Sequence, residues 1–196
     1  ACLGRLQGFF VVLRAPSRAL AVARGVACIL QTQYVRRGQR TAWCAQYDEK
    51  TLQPAQARTF ELPSLSGSES VGIVRFLMHI DQPSAEVKAA IESAVAWLEK
   101  VKIPGYAIKD IADPKQPTGR DRVLVPTPGA VLWARFYELD TDRPIYVGRD
   151  SRVHYQLSEV ENERRTGYGY AGTWPEKLLS EEYPQWQKQQ AGAAGK

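Results

Sequence analysis

The sequence predicts a mainly α-helical fold, with paired helices joined by long loops and one small β-hairpin. Three observations carry this. Apolar residues recur at helical spacing over residues 20–30, 71–78 and, most regularly, 87–101. Capping patterns stand ahead of helical stretches: Ser66 with Glu69, Ser158 with Glu161, and Thr173 with Glu176. No βαβ alternation is present, and strand-like alternation is confined to the region near residues 131–149.

Taken in order, residues 1–17 have no clear amphipathic pattern, and Pro16-Ser17 breaks the chain. They are set apart as a leader. From Arg18, one face carries Leu20, Ala23, Val26, Ala27 and Leu30, a helix ending near Tyr34. Residues 40–47 look extended, and residues 48–63 loop-like. Behind Ser66 and Glu69, one helical face holds Val71, Val74, Leu77 and Met78. Pro83-Ser84 opens the clearest helix, with Val87, Ile91, Ala94, Val95, Leu98 and Val101 on one side, and Pro104-Gly105 stops it. Residues 106–128, rich in Pro, Gly, Asp and Lys, read as a long surface loop. In residues 131–138, Trp133, Arg135 and Tyr137 share one strand face and Leu132, Ala134 and Phe136 the other. A turn at residues 140–144 leads to a second strand at 145–149. Pro175 fits the first turn of a later helix, where proline is tolerated. Residues 188–196 form a polar, Gly/Ala-rich flexible tail.

Composition is that of an ordinary soluble globular chain, 44% hydrophobic and 24% charged over 196 residues, enough for one domain. No apolar run approaches the roughly 20 residues of a membrane span. The net charge of +5 is localised: residues 1–40 hold seven arginines and no acid, and the remainder is slightly acidic. A general polyanion surface is therefore not indicated, and neither a nucleic-acid nor a membrane partner is expected. Cys2, Cys28 and Cys44 lack zinc-site spacing. A Cys28–Cys44 disulfide and buried free thiols both fit the sequence.

Nucleotide, P-loop, zinc-protease and nucleophile-elbow motifs are absent. His79 and His154 have no Ser or Cys partner in a motif. What stands out lies between residues 116 and 176, where every basic residue is arginine: Arg120, Arg122, Arg135, Arg143, Arg149, Arg152, Arg164 and Arg165. A guanidinium holds a carboxylate by two parallel hydrogen bonds, which lysine cannot do. Trp133, Tyr137, Tyr146, Tyr155, Tyr168, Tyr170 and Trp174 lie among these arginines and could support sugar rings. The combination suits an acidic polysaccharide. The same arginines could instead make surface ion pairs with Glu138, Asp140, Asp150, Glu159 and Glu163.

Five separated patterns then occur in order. They are Gln39–Asp48 (QRTAWCAQYD), Glu61–Ser70 (ELPSLSGSES), Leu132–Glu138 (LWARFYE), Arg143-Pro-Ile145 with Gly148-Arg-Asp150, and Glu163–Tyr168 (ERRTGY). Over about residues 18–187 the chain resembles the family 10 polysaccharide lyases, the helical pectate lyases. The resemblance implies that residues 18–187 are the C-terminal part of a secreted catalytic domain, a partial α/α toroid (α/α barrel). It implies cleavage of polygalacturonate (pectate) by β-elimination, with calcium bridging protein and substrate, and a monomeric parent. By motif matching, Arg149 takes the role of catalytic base, and Arg135 and Arg164 those of substrate-carboxylate ligands. Trp133 and Tyr137 join them as substrate-binding residues. The family's calcium ligands lie mostly upstream of this region, and Asp48, Asp150, Glu69 and Glu138 are expected only as supporting acids. The isolated chain is accordingly expected to bind calcium poorly, to turn over little and to aggregate through uncovered helix faces.

Three other readings compete. A non-catalytic module that binds acidic polysaccharide would use the same arginines. A helical glycoside hydrolase would need two carboxylates about 5–10 Å apart across a groove, for which Glu69 and Glu138 are the candidates. A structural helical array would leave the arginines and aromatics scattered.

Overall fold

The computed structural model describes residues 18–194. The expected leader, residues 1–17, lies outside them. The chain opens with helix α1 (Arg18–Thr32), followed by the two-residue strands β1 (Val35–Arg36) and β2 (Gln39–Arg40), which form a tight antiparallel pair. Strand β3 (Leu65–Ser66) precedes helices α2 (Glu69–Met78) and α3 (Ala85–Lys100).

Helix α3 shows how the sequence dictates the element. Ser84 has extended backbone, and its side chain accepts the Val87 N–H at 3.2 Å, satisfying one of the helix's free donors. The i, i+3, i+4 spacing buries Val87, Ala90, Ile91, Ala94, Val95 and Leu98. The Val101 N–H closes the last turn on the Trp97 carbonyl, and Pro104 follows. The buried face meets α2 and the side chains of Trp43, Leu65, Trp133, Tyr137 and Leu178 in the main core.

The mainly helical, partial α/α toroid does not form. The described residues contain three antiparallel sheets beside the helices. Residues 103–134, expected to be mostly surface loop, are a long ribbon of β4 (Ile103–Ala112) and β5 (Arg120–Ala134), paired from Ile103↔Leu132 out to Ala112↔Arg120. Of the prolines that suggested a loop, Pro126 and Pro128 sit on this two-stranded element, where a missing N–H is tolerated, and Pro114 and Pro117 sit in the turn that joins its strands. The register shifts between Pro104 and Tyr106, and Gly105 and Gly129 absorb the irregularity with positive φ of 80° and 81°. Strand β6 (Phe136–Tyr137) pairs with β3 and with β7 (Pro144–Val147), and β7 pairs with β8 (Val153–His154). The short helix α4 (Asn162–Gly167) packs against β5. Strand β9 (Ala171–Gly172) extends the ribbon by pairing with Trp133 and Ala134. A π-turn at Leu178–Glu182 leads into α5 (Tyr183–Ala194), which runs across residues expected to be a tail. Cys28 and Cys44 are both free thiols, the first exposed and the second buried.

A candidate carboxylate site built from arginines and aromatics

The site begins at a close approach of main chains. The Gly67 N–H donates to the Arg135 carbonyl at 3.0 Å. A Cβ at Gly67 would lie 2.3 Å from the Ala134 carbonyl oxygen, so only glycine fits there. The approach sets the start of α2 beside the β5–β6 corner. Ser66 Oγ accepts the N–H groups of Ser68 and Glu69 at 3.1 and 2.9 Å, and its hydroxyl donates to the Glu69 carboxylate. Ser66 and Glu69 are thus bonded to each other as the capping pattern suggests, but the residue at the helix N-cap is Ser68, whose side chain makes no capping bond. Glu69 in turn pairs with the Arg135 guanidinium.

Arg135 leaves the β5–β6 corner with its N–H donating to the Tyr170 carbonyl at 2.7 Å. Its guanidinium carbon lies 5.2 Å from the Tyr168 ring centre and 6.0 Å from that of Trp174. Arg164, on α4, lies 3.6 Å above Phe60 and 4.6 Å from Tyr168, and also contacts the Tyr170 hydroxyl. The two arginines thus converge on one tyrosine. The buried Arg135 Nε and the buried Arg164 Nε and Nη2 have no hydrogen-bond partner. Unpaired buried donors are costly, and charged donors more so, which marks this cluster as prepared for an acceptor.

Tyr168 is fixed on several sides. It stacks on Phe136 at 6.3 Å, meets Phe60 and Tyr170 edge-on, and donates its hydroxyl to Glu61 at 2.8 Å. Burial and the Glu61 carboxylate push its pKa upward, so the phenol stays protonated. Arg58 completes the rim, 5.8 Å from the Phe60 ring and 3.6 Å from Glu61. Arg58, Phe60 and Glu61 were not among the expected site residues, whereas Tyr168 and Trp174 stood among the aromatics expected near the arginines. Phe60 and Glu61 lie on a loop without periodicity, and only proximity in the fold connects them to Arg164.

The other expected residues sit elsewhere. Trp133 and Tyr137 are core residues. The Trp133 indole N–H donates to the Leu98 carbonyl at 2.8 Å, and the Tyr137 hydroxyl donates to Val101 and accepts from the Ala134 N–H. Arg149 is exposed. Its N–H reaches Glu161 at 3.1 and 3.2 Å, and its guanidinium makes two 3.0 Å bonds to Glu163, the sequence neighbour of Arg164. That pairing raises the Arg149 pKa.

Among the described residues, no three His, Cys, Asp or Glu side chains converge as metal ligands. Asp48 caps its own turn, Asp150 pairs with His154, Glu138 bonds Tyr155 and Thr141, and Glu69 is held by Arg135. The acids of the described residues therefore do not fit a calcium site by themselves. Glu69 and Glu138 also belong to separate hydrogen-bonded groups, which offers no support for a glycosidase pair.

A buried aromatic cluster with unpaired guanidinium donors offers charged hydrogen-bond donors to an anionic acceptor. The family model described as pectic acid lyase matches residues 12–179. The solved family 10 polysaccharide lyase from Cellvibrio cellulosa is 36% identical, with a TM-score of 0.71 over 81% of this chain and 48% of that chain. An aspartate-to-alanine mutant of that lyase, solved in complex with trigalacturonic acid, is 37% identical with the same TM-score and coverage. The chain spans about half the length of these structures. No curated protein matches it. The chain belongs to the pectic acid lyase family, the family 10 polysaccharide lyases.

Proposed function

We propose that the cluster around Tyr168 binds galacturonate carboxylates for β-elimination of pectate by a secreted enzyme. The carrying observation is the set of three buried guanidinium donors without partners on Arg135 and Arg164. A uronate carboxylate supplies acceptors of the matching charge and geometry. The trigalacturonic acid bound to the Cellvibrio lyase is the corresponding ligand of that protein.

The chemistry follows from the charge. The C5 proton of a galacturonate is weakly acidic while the neighbouring carboxylate keeps its full negative charge. Two guanidiniums on that carboxylate stabilise the developing enolate-like charge. A base removes the C5 proton, the electron pair forms the C4–C5 double bond, and the C4–O4 bond breaks. We assign the base to Arg149, which must first leave Glu163, because that ion pair raises its pKa and opposes proton loss. Activity should therefore rise toward alkaline pH. The acids of the described residues form no calcium site of their own, so no step is derived through that ion.

The test is titration of the chain with trigalacturonate. Wild type should bind, and Arg164→Ala should weaken binding by at least about tenfold, the equivalent of one good charged hydrogen bond. Unchanged affinity in Arg164→Ala would remove the assignment. Ultraviolet absorbance of the conjugated product separates a lyase from a module that only binds acidic polysaccharide.

A further inference from the structure

A second cavity of about 410 Å³ opens between the β4–β5 ribbon and the Leu157–Glu159 turn, within the range of small-molecule sites. Its lining includes Tyr106 and Tyr155, 42% and 41% exposed. Tyr146 and Leu157 form an apolar wall, and the Gln156 amide and Ser158 hydroxyl supply polar groups. Tyr155 is held in place by two contacts: its hydroxyl donates to Glu138 at 2.6 Å, and the Arg143 guanidinium covers its ring at 3.3 Å. Tyr155 lines the cavity, and Arg143, which covers its ring, does not.

The charged groups of this wall are already paired. Arg122 makes two bonds to Asp110, at 2.7 and 2.9 Å, and one to the Tyr168 carbonyl at 3.4 Å. Arg165 makes two bonds to Asp121, at 2.6 and 2.7 Å, and one to the Val160 carbonyl at 2.6 Å. A carboxylate entering here would lose water without gaining a free cation. An uncharged sugar ring would meet aromatic surface, an amide and a hydroxyl, at no such cost.

We propose that this cavity binds an uncharged pyranose unit. The choice of a sugar rests on the polysaccharide reading above; the choice of an uncharged one rests on the paired arginines alone. Such a unit could come from methyl-esterified galacturonate or from a neutral galactose side chain.

Calorimetric titration of the chain with three probes decides it: trigalacturonate, its methyl triester, and galactotriose. At least one uncharged probe should bind, and the better one identifies the source. Tyr155→Ala and Tyr106→Ala should each weaken that probe about tenfold, with Tyr155→Phe and Arg164→Ala within about twofold of wild type. Trigalacturonate should show the reverse pattern, sensitive to Arg164→Ala and indifferent to Tyr155→Ala. The proposal is overturned if neither uncharged probe binds wild type. It is also overturned if both tyrosine variants, folded by circular dichroism, bind as wild type does, or if trigalacturonate displaces the uncharged probe. Failure of trigalacturonate to bind at all would instead refute the carboxylate site and leave this one standing.

Discussion

Arg164 and Arg165 are neighbours on α4 and meet opposite fates. Arg165 is buried, and its guanidinium is used up by Asp121 and the Val160 carbonyl. Arg164 lies between two aromatic rings with two donors unpaired. A helix turns about 100° per residue, so one short helix presents one arginine to a carboxylate inside the protein and the other to the Tyr168 cluster. The first arginine is spent on holding the fold, and the second is available to a ligand.

The largest effect should come from the spent arginine. Arg165→Ala strands the Asp121 carboxylate in a buried position, and urea unfolding should show a loss of about 3 kcal/mol. A loss as small as that of an exposed ion pair would break the distinction. Asp142 sharpens it by a second buried case. Burial pushes its carboxyl upward, but hydrogen bonds from Arg36, Lys100 and Trp97 outweigh this and hold it at about 2, against an ordinary 3.8. The folded pKa is the lower one. This stabilisation, of order 2 kcal/mol, is complete above about pH 4. It is lost as pH falls toward 2, and Asp142→Asn should flatten that acid limb in a pH series of unfolding curves.

The available arginine should behave in the other way. Arg164→Ala should cost about 1 kcal/mol or less in stability, the worth of its ring contacts, while trigalacturonate affinity falls. Equal losses in both measurements would make Arg164 a second structural arginine. The smallest effect belongs to the exposed Arg149–Glu163 pair. Glu163→Gln should leave the unfolding midpoint unchanged. Because Glu163 raises the Arg149 pKa, removing its charge should shift any alkaline activity limb to lower pH.

Parts of this were legible in the sequence. Helix α3 was, because its cap, periodicity and stop signal agree. Arg135 and Arg164 stood out as candidates because their motifs are local, and the fold brings both beside Tyr168. The β4–β5 ribbon was not legible: its strands carry three prolines and scattered charge, and its pairing joins residues as far apart as Ile103 and Leu132. Trp133 and Tyr137 alternate with Arg135 as a half-exposed strand would, yet β9 and the main core cover that segment, and both side chains end up inside. The Phe60 and Glu61 side of the site was invisible for a different reason. It is brought to Arg164 and Tyr168 across about a hundred residues, and no local pattern reports such a contact.

The close approach at Gly67 matters to anyone transplanting this site. A graft that copied only Arg135, Glu69 and their aromatic neighbours onto another scaffold would lack what sets their spacing. Two backbones meet there with no room for a methyl group, so the recipient must supply a glycine facing a strand carbonyl before any side chain is chosen. The portable unit is a main-chain junction, and the arginine comes with it.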